Sequence, residues 1–268
     1  MESISLAQAI ALALLQGLTE FLPISSSAHL VLLPKLMQLP DQGLAFDVVV
    51  HLGTLGAVLW HFREEVGTMA SGFWRTLAAR RIDADADGEL AWFVLLATIP
   101  VGLAGLAFKD FVEQALRNPE VIAIASIGFG LLLAWADRRP HHTGKRWSLR
   151  DAMLVGVAQA LALIPGTSRS GITITAALML GYSRKEAARF SFLLAIPVIA
   201  LAGALKLKDW WQAPTHQADA TALLAGFVVS FLSAWICIRL FLAFIERIGM
   251  MPFVIYRVLL GAALLAWV

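Results

Sequence analysis

The sequence predicts an all-α integral membrane protein, an inverted-topology repeat with six transmembrane helices and two re-entrant helical hairpins. Three observations lead there. Of the 268 residues, 59% are hydrophobic and 15% charged, with a mean hydropathy of +0.75. Soluble domains carry roughly 45–50% apolar and about 25% charged residues. The apolar excess is gathered into long blocks, and the order of features in the first half returns in the second.

Taken in chain order, helical blocks fall at 4–22, 25–38, 44–62, 90–108, 119–136, 150–164, 168–181, 187–206, 220–244 and 252–267. Crossing the hydrocarbon takes about 20 residues, and stretches of about 10–14 are more often re-entrant or buried. Blocks 25–38 and 168–181 are too short to cross. Each follows a proline break, Leu22-Pro23 or Ile164-Pro165, that ends the helix before it. Residues 4–38 and 150–181 therefore read as hairpins that dip in and return, and the remaining six blocks cross. The first repeat covers 1–136, a basic cytoplasmic linker 137–149, and the second repeat 150–268. The stretch between blocks 44–62 and 90–108 reads as a cytoplasmic loop. Its Asp83-Ala-Asp-Ala-Asp-Gly88 run begins like a calcium loop but has Val94 where a glutamate belongs, so it reads as a solvated linker.

The halves match in detail. Gln16…Pro23-x-Ser-Ser returns as Gln159…Pro165-x-Thr-Ser, one residue shorter between Gln and Pro. Phe46 can be laid over Phe190, and Pro119 followed by Leu132-Leu-Ala-Trp135 returns as Pro252 followed by Leu264-Leu-Ala-Trp267. One hairpin plus three crossings per half turns the second half upside down, and in such repeats broken helices meet near the midplane. Thirteen basic residues, from Arg63 to Arg247, then share one side, against Lys35, Lys109, Arg117, Lys206 and Lys208 on the other. That asymmetry makes the first side cytoplasmic and turns both termini and the mouth of the first hairpin outward. No basic residue precedes the first block and no small-residue cleavage site ends it, so no removable signal peptide is expected. Tryptophans 60, 74, 92, 135, 210 and 211 sit near block ends, as interfacial indoles do. A net charge of +2 gives no case for nucleic acid, and the lone Cys237 excludes an internal disulfide.

Chemistry concentrates at the two breaks. Gln16 and Glu20 share a helix face, being four apart. Ser25, Ser26, Ser27 and His29 follow within a few residues, and the second break carries Thr167, Ser168, Arg169 and Ser170. In lipid each such group costs free energy unless it is paired or faces a wet cavity. Ser25 or Ser26 is suited to cap a helix, and the Gly166-Thr167-Ser168 turn does the same for the helix that follows it. Two helix N-termini with serines and a guanidinium beside them make an anion site. Glu20 would repel a bare phosphate, so a divalent cation, Mg²⁺ or Ca²⁺, bridging the two is the economical arrangement. Against this stand plainer readings: serines that only bond the preceding turn, and a buried structural Glu20–Arg169 pair. Arg239 and Arg257, inside apolar blocks, are expected to snorkel or to pair. His51 is a candidate for the cavity wall.

The run Gln16-Gly-Leu-Thr-Glu-Phe-Leu-Pro-Ile-Ser-Ser-Ser-Ala-His29 resembles the first motif of the undecaprenyl-diphosphatase (bacitracin-resistance) family. Pro165-Gly-Thr-Ser-Arg-Ser-Gly171 looks like its second motif, and Phe46-Asp-Val-Val-Val-His-Leu-Gly53, Phe190–Pro197 and Pro252–Arg257 follow in order. The resemblance implies a phosphatase of the bacterial inner membrane that converts a C55 isoprenoid diphosphate to its monophosphate with a divalent cation, from a site open to the outer, periplasmic face. By position, Glu20, Ser26, His29 and Arg169 correspond to the residues regarded as essential. Ser25, Ser27, Thr167, Ser168, Ser170 and Gln16 are the candidate phosphate-binding groups, and Glu20 the candidate metal ligand. Gln16 stands where many members have a second glutamate.

The residues suggest attack by Ser26 on the terminal phosphorus, with His29 or Glu20 taking its proton, and Arg169 and the metal holding the phosphoryl oxygens. Attack by water, with Ser26 only positioning phosphate, is the rival scheme. A transporter or flippase for a phosphorylated polyprenyl lipid is the alternative from another class. The expected partners are the polyprenyl diphosphate and membrane lipids, with a homodimer left open.

Overall fold

The computed structural model describes residues 5–26, 28–29, 43–116, 118–212 and 219–267. These form helices: α1 (Leu6–Phe21), α2 (Gly43–His61), α3 (Arg63–Ala79), α4 (Ala86–Phe111), α5 (Pro119–Asp137), α6 (Leu149–Gln159), α7 (Arg169–Met179), α8 (Arg184–Gln212), α9 (Ala220–Ile248) and α10 (Met251–Trp267). Five are long and apolar enough to cross a membrane, namely 43–61, 86–108, 119–137, 184–208 and 220–248. Helices α1 and α10 are apolar but shorter. Residues 30–38 of the first hairpin, with Lys35, Arg117 and Ser27, lie outside the described residues.

Helix α9 exposes Leu224, Leu232 and Leu240 and buries Gly226, Ser230, Ser233 and Ala234, the reverse of a soluble bundle. In α1, Ser5 caps the first turn in a reciprocal box with Gln8. Leu6, Ile10, Leu14 and Leu18 form an exposed stripe, while Ala9, Ala13, Gln16, Gly17 and Glu20 are buried. A lipid solvent offers no hydrophobic gain for burying leucine, so helices associate through close backbone approach and internal hydrogen bonds. Gly17 of α1 shows this. A Cβ there would overlap the Ser233 hydroxyl of α9 and come within 2.7 Å of the Ser230 carbonyl.

Helix α3 was not expected, since its residues read as a loop. Its mean character is close to neutral, but Met69, Gly72 and Thr76 make a buried stripe at spacings of three and four. That stripe packs on α4, where Trp92 donates its indole N–H to the Thr76 hydroxyl at 3.0 Å. Trp74, on the opposite face, is 66% exposed. The Asp83–Gly88 run is held by arginines: Asp83 by Arg81 and Asp85 by Arg75. No group of three or more metal-ligating side chains occurs among the described residues.

The linker after α5 is fastened down. Trp147 stacks between Tyr182 and Phe190, with ring centroids 3.8 Å from each. Lys145 pairs with Asp151 at 3.0 Å and donates to the Leu180 carbonyl. Asp137 takes both Arg184 and the Met250 backbone N–H, joining α5, α8 and the start of α10.

Candidate active site

Two interruptions of helix geometry define the site. After α1 the chain leaves helical geometry at Leu22, and after α6 it tightens into a 3-10 turn over Ala160–Leu163 before Pro165. Each interruption ends on a serine with positive φ: 72° at Ser25 and 69° at Ser168. A non-glycine residue held there costs on the order of 1–3 kcal/mol and persists only where its surroundings fix it. Gly166, with φ 94°, relieves a third such position, where a Cβ would strike the Ile122 carbonyl of α5.

Aligned on these two serines, the halves keep one register. Gln16 and Gln159 each lie nine residues before the serine, so the one-residue gap counted from the prolines vanishes. The residue after each serine is then Ser26 in one half and Arg169 in the other. Both converge on Glu20. Ser26 donates its hydroxyl to Glu20 Oε2 at 2.7 Å, and Arg169 Nη2 donates to Oε1 at 3.0 Å. Gln16 Nε2 adds a third bond, to Oε2 at 3.0 Å. Glu20 is 8% exposed, so these donors take the place of water around its charge.

The remaining candidates divide. Ser168 accepts the Gly171 N–H at 3.1 Å and so caps α7. Ser170 donates to the Leu22 carbonyl at 2.8 Å, tying the second break to the first. Among the described residues, Thr167 Oγ1 is buried without a hydrogen-bond partner, as are Arg169 Nη1, Gln16 Oε1 and both amide atoms of Gln159. Buried polar atoms are almost always satisfied, so orphans crowded around two helix breaks ask for a reason. His29 does not reach Ser26 within any described hydrogen bond. Its Nδ1–H goes to the Ser25 carbonyl at 2.7 Å, which leaves Nε2 to accept the Tyr256 hydroxyl. His51 donates Nδ1–H to the Asp47 carbonyl at 2.6 Å and sits within electrostatic reach of Glu20.

Arg257 is the residue that sequence reasoning undervalued. Its side chain is fully buried, with no carboxylate partner among the described residues. Instead the guanidinium donates to backbone carbonyls from three directions. Nη1 reaches Pro23 in the first break at 3.4 Å, and Nη2 reaches Gly166 and Thr167 in the second at 2.9 and 2.8 Å. Nε takes the Ser126 carbonyl of α5 at 3.1 Å. A buried cation answered by carbonyl dipoles braces both breaks from α10. The adjacent Tyr256 engages His29. The signal available in sequence was Tyr256-Arg257 inside an apolar block, a position where an ionisable side chain is expensive.

Comparison with known proteins decides the lineage. A family described as "Bacitracin resistance protein BacA" matches residues 9–263. This chain belongs to the BacA family. Undecaprenyl-diphosphatase 2 of Stutzerimonas stutzeri is 57% identical over 265 residues, covering 97% of each chain. Undecaprenyl-diphosphatase of Nitrosococcus oceani is 56% identical over 260 residues, covering 95% of this chain and 96% of its own. That of Colwellia psychrerythraea is 54% identical over 264 residues, 96% of each.

For this BacA-family chain the fit of a divalent cation is narrow. Glu20 supplies one carboxylate, already holding three donors, and the unpartnered Gln16 Oε1 supplies one neutral oxygen. Mg²⁺ commonly binds through one or two carboxylates together with substrate phosphates. The residues thus suit an ion that arrives with a phosphate-bearing substrate.

Proposed function

We propose that this protein hydrolyses undecaprenyl diphosphate to undecaprenyl phosphate and inorganic phosphate, the reaction its relatives are named for. The reading gains support from one observation above the rest. A single buried carboxylate holds a serine hydroxyl on one oxygen and a guanidinium on the other, each from a different helix break.

In the scheme that fits this arrangement, Ser26 Oγ attacks the terminal phosphorus. A new O–P bond forms, the bridging P–O bond breaks, and the polyprenyl monophosphate leaves. The serine proton passes to Glu20 Oε2, the oxygen it already touches, and water then hydrolyses the phosphoserine. Arg169 retains Glu20 through Nη2 and turns its unpartnered Nη1 to a phosphoryl oxygen. The free N–H groups at the start of α7 and the Thr167 hydroxyl accept the remaining charge. A divalent cation held by Glu20 and Gln16 would neutralise diphosphate charge. His29, tied to Tyr256, positions the first break rather than taking the proton.

The same reading takes the two breaks as tips of re-entrant hairpins in an inverted repeat, 1–136 and 150–268, with α10 as a sixth crossing. The site then opens to the periplasmic side of the inner membrane. Support comes from the constant register between the two positive-φ serines and from the basic residues gathered at one end.

The test is phosphate release from a polyprenyl diphosphate in detergent, with and without chelator, for wild type and Ser26→Ala. Release by wild type alone is expected. A carrier would release none in either case. Mass spectrometric trapping of phosphate on Ser26 separates covalent attack from attack by water.

A further inference from the structure

We propose that the end of the bundle bearing the basic loops carries a second anion site, one that seats the phosphate of a negatively charged phospholipid between α2, α8 and α9. A cavity of about 340 Å³ opens there, walled by His61, Phe62, Lys185, Arg189, Leu242 and Ala243. It lies at the end of α2, in the first turns of α8 and near the end of α9. That is the depth at which spanning helices meet lipid headgroups. Trp60, one residue before His61, is 55% exposed, as an interfacial tryptophan is.

The charges do not cancel. Arg189 is occupied by Glu65 through Nε and Nη2, and Arg63 by Glu64. Glu246 accepts the backbone N–H of Lys185. The Lys185 ammonium has no carboxylate among the described residues. Arg239 rests over the Trp235 ring at 4.9 Å with no carboxylate either, and it lies within electrostatic reach of His61. Lys185, the ion-paired Arg189 and the imidazole of His61 thus line the cavity, Arg239 stands one helical turn before Ala243 and within electrostatic reach of His61, and the remaining walls, Phe62, Leu242 and Ala243, are apolar. A phosphodiester needs the first set of groups, and the upper part of an acyl chain needs the second. Basic pockets between helices at this depth recognise anionic headgroups on that basis. The site stands apart from the two helix breaks and does not depend on the proposed reaction.

The experiment uses the full chain in neutral detergent, titrated with phosphatidylglycerol or phosphatidylcholine and read by native mass spectrometry and thermal unfolding. Wild type is expected to retain one phosphatidylglycerol where phosphatidylcholine is lost, and to melt at higher temperature with it. Lys185→Ala combined with Arg239→Ala should bind phosphatidylglycerol about twenty- to thirtyfold more weakly. Its phosphate release in phosphatidylcholine should match wild type, which shows that it folds. Ala243→Trp, which fills the cavity and leaves every charge in place, should abolish the same preference. Equal retention of the two lipids by wild type, or an unchanged preference in either variant, overturns the proposal. A matching thermal shift from inorganic phosphate alone also overturns it, since a bare ion would then suffice.

Discussion

The two helix breaks share a backbone and differ in what they place on it. Each ends on a serine held at positive φ, with a buried glutamine nine residues earlier. After that serine the first break presents a hydroxyl and the second a guanidinium, and both reach Glu20. The first break therefore brings a hydroxyl to the acid, and the second brings a guanidinium. The glutamines differ in the same way. Gln16 bonds Glu20, while the Gln159 amide has no hydrogen-bond partner among the described residues. The two turns are alike in backbone and unlike in the side chains they present, so the cluster around Glu20 needs both.

Perturbing one side of this comparison at a time gives graded outcomes. Ser26→Ala should lower phosphate release by about a thousandfold or more, because it removes the hydroxyl that bonds the carboxylate. Arg169→Lys keeps a charge but loses the two-pronged reach to Glu20 and substrate. A fall of roughly a hundredfold in kcat/KM is expected, and a variant within twofold of wild type would remove the guanidinium from the scheme.

Arg257→Met acts on both breaks together, leaving the Pro23, Gly166 and Thr167 carbonyls without their donor. Removing a buried hydrogen-bonding partner costs about 1–3 kcal/mol per stranded group. A clear drop in melting temperature should accompany the loss of activity. Gln159→Leu should do the reverse for stability, since an apolar side chain of similar size replaces an amide with no hydrogen-bond partner among the described residues, a gain on the order of 1 kcal/mol. Gln16→Leu should show no such gain, because it strips a donor from Glu20. Equal behaviour of the two variants in thermal unfolding would dissolve the contrast between the glutamines.

The smallest effect concerns the linker. Burial of Asp151 raises its pKa, but hydrogen bonds from Lys145 and Tyr182 outweigh that and hold the carboxyl below its ordinary value. A depressed carboxyl stabilises above its unfolded pKa of about 3.9, and that contribution fades as pH falls through the lower folded value. Trp147 fluorescence should therefore begin to change only below about pH 4, and Asp151→Asn should flatten that change.

Much of the architecture was legible because lipid simplifies sequence. Apolar blocks, prolines and the loop charges mark helices and breaks directly, and a carboxylate and a guanidinium buried at two breaks have few alternatives to meeting. Helix α3 escaped because its face is written in Met69, Gly72 and Thr76, residues that fill a narrow seam without raising the local hydropathy. Counted from the prolines the two breaks differ by one residue, and only the backbone angles at Ser25 and Ser168 show the pair of positions nine residues after each glutamine. Arg257 was expected to snorkel or to pair, but its partners could not be read. Its partners are carbonyls, which every residue has, so no acidic side chain in the sequence advertised the contact. The Tyr256–His29 bond was hidden likewise by a separation of 227 positions.

The brace also has a consequence for biosynthesis. Arg257 stands in α10, whereas every group it steadies comes earlier in the chain. A ribosome-bound chain stopped before α10 would already carry its acid, its serine and its guanidinium, yet lack the clamp that sets them side by side. Assembly of the cluster around Glu20 thus waits until α10 has been made and inserted beside the two breaks.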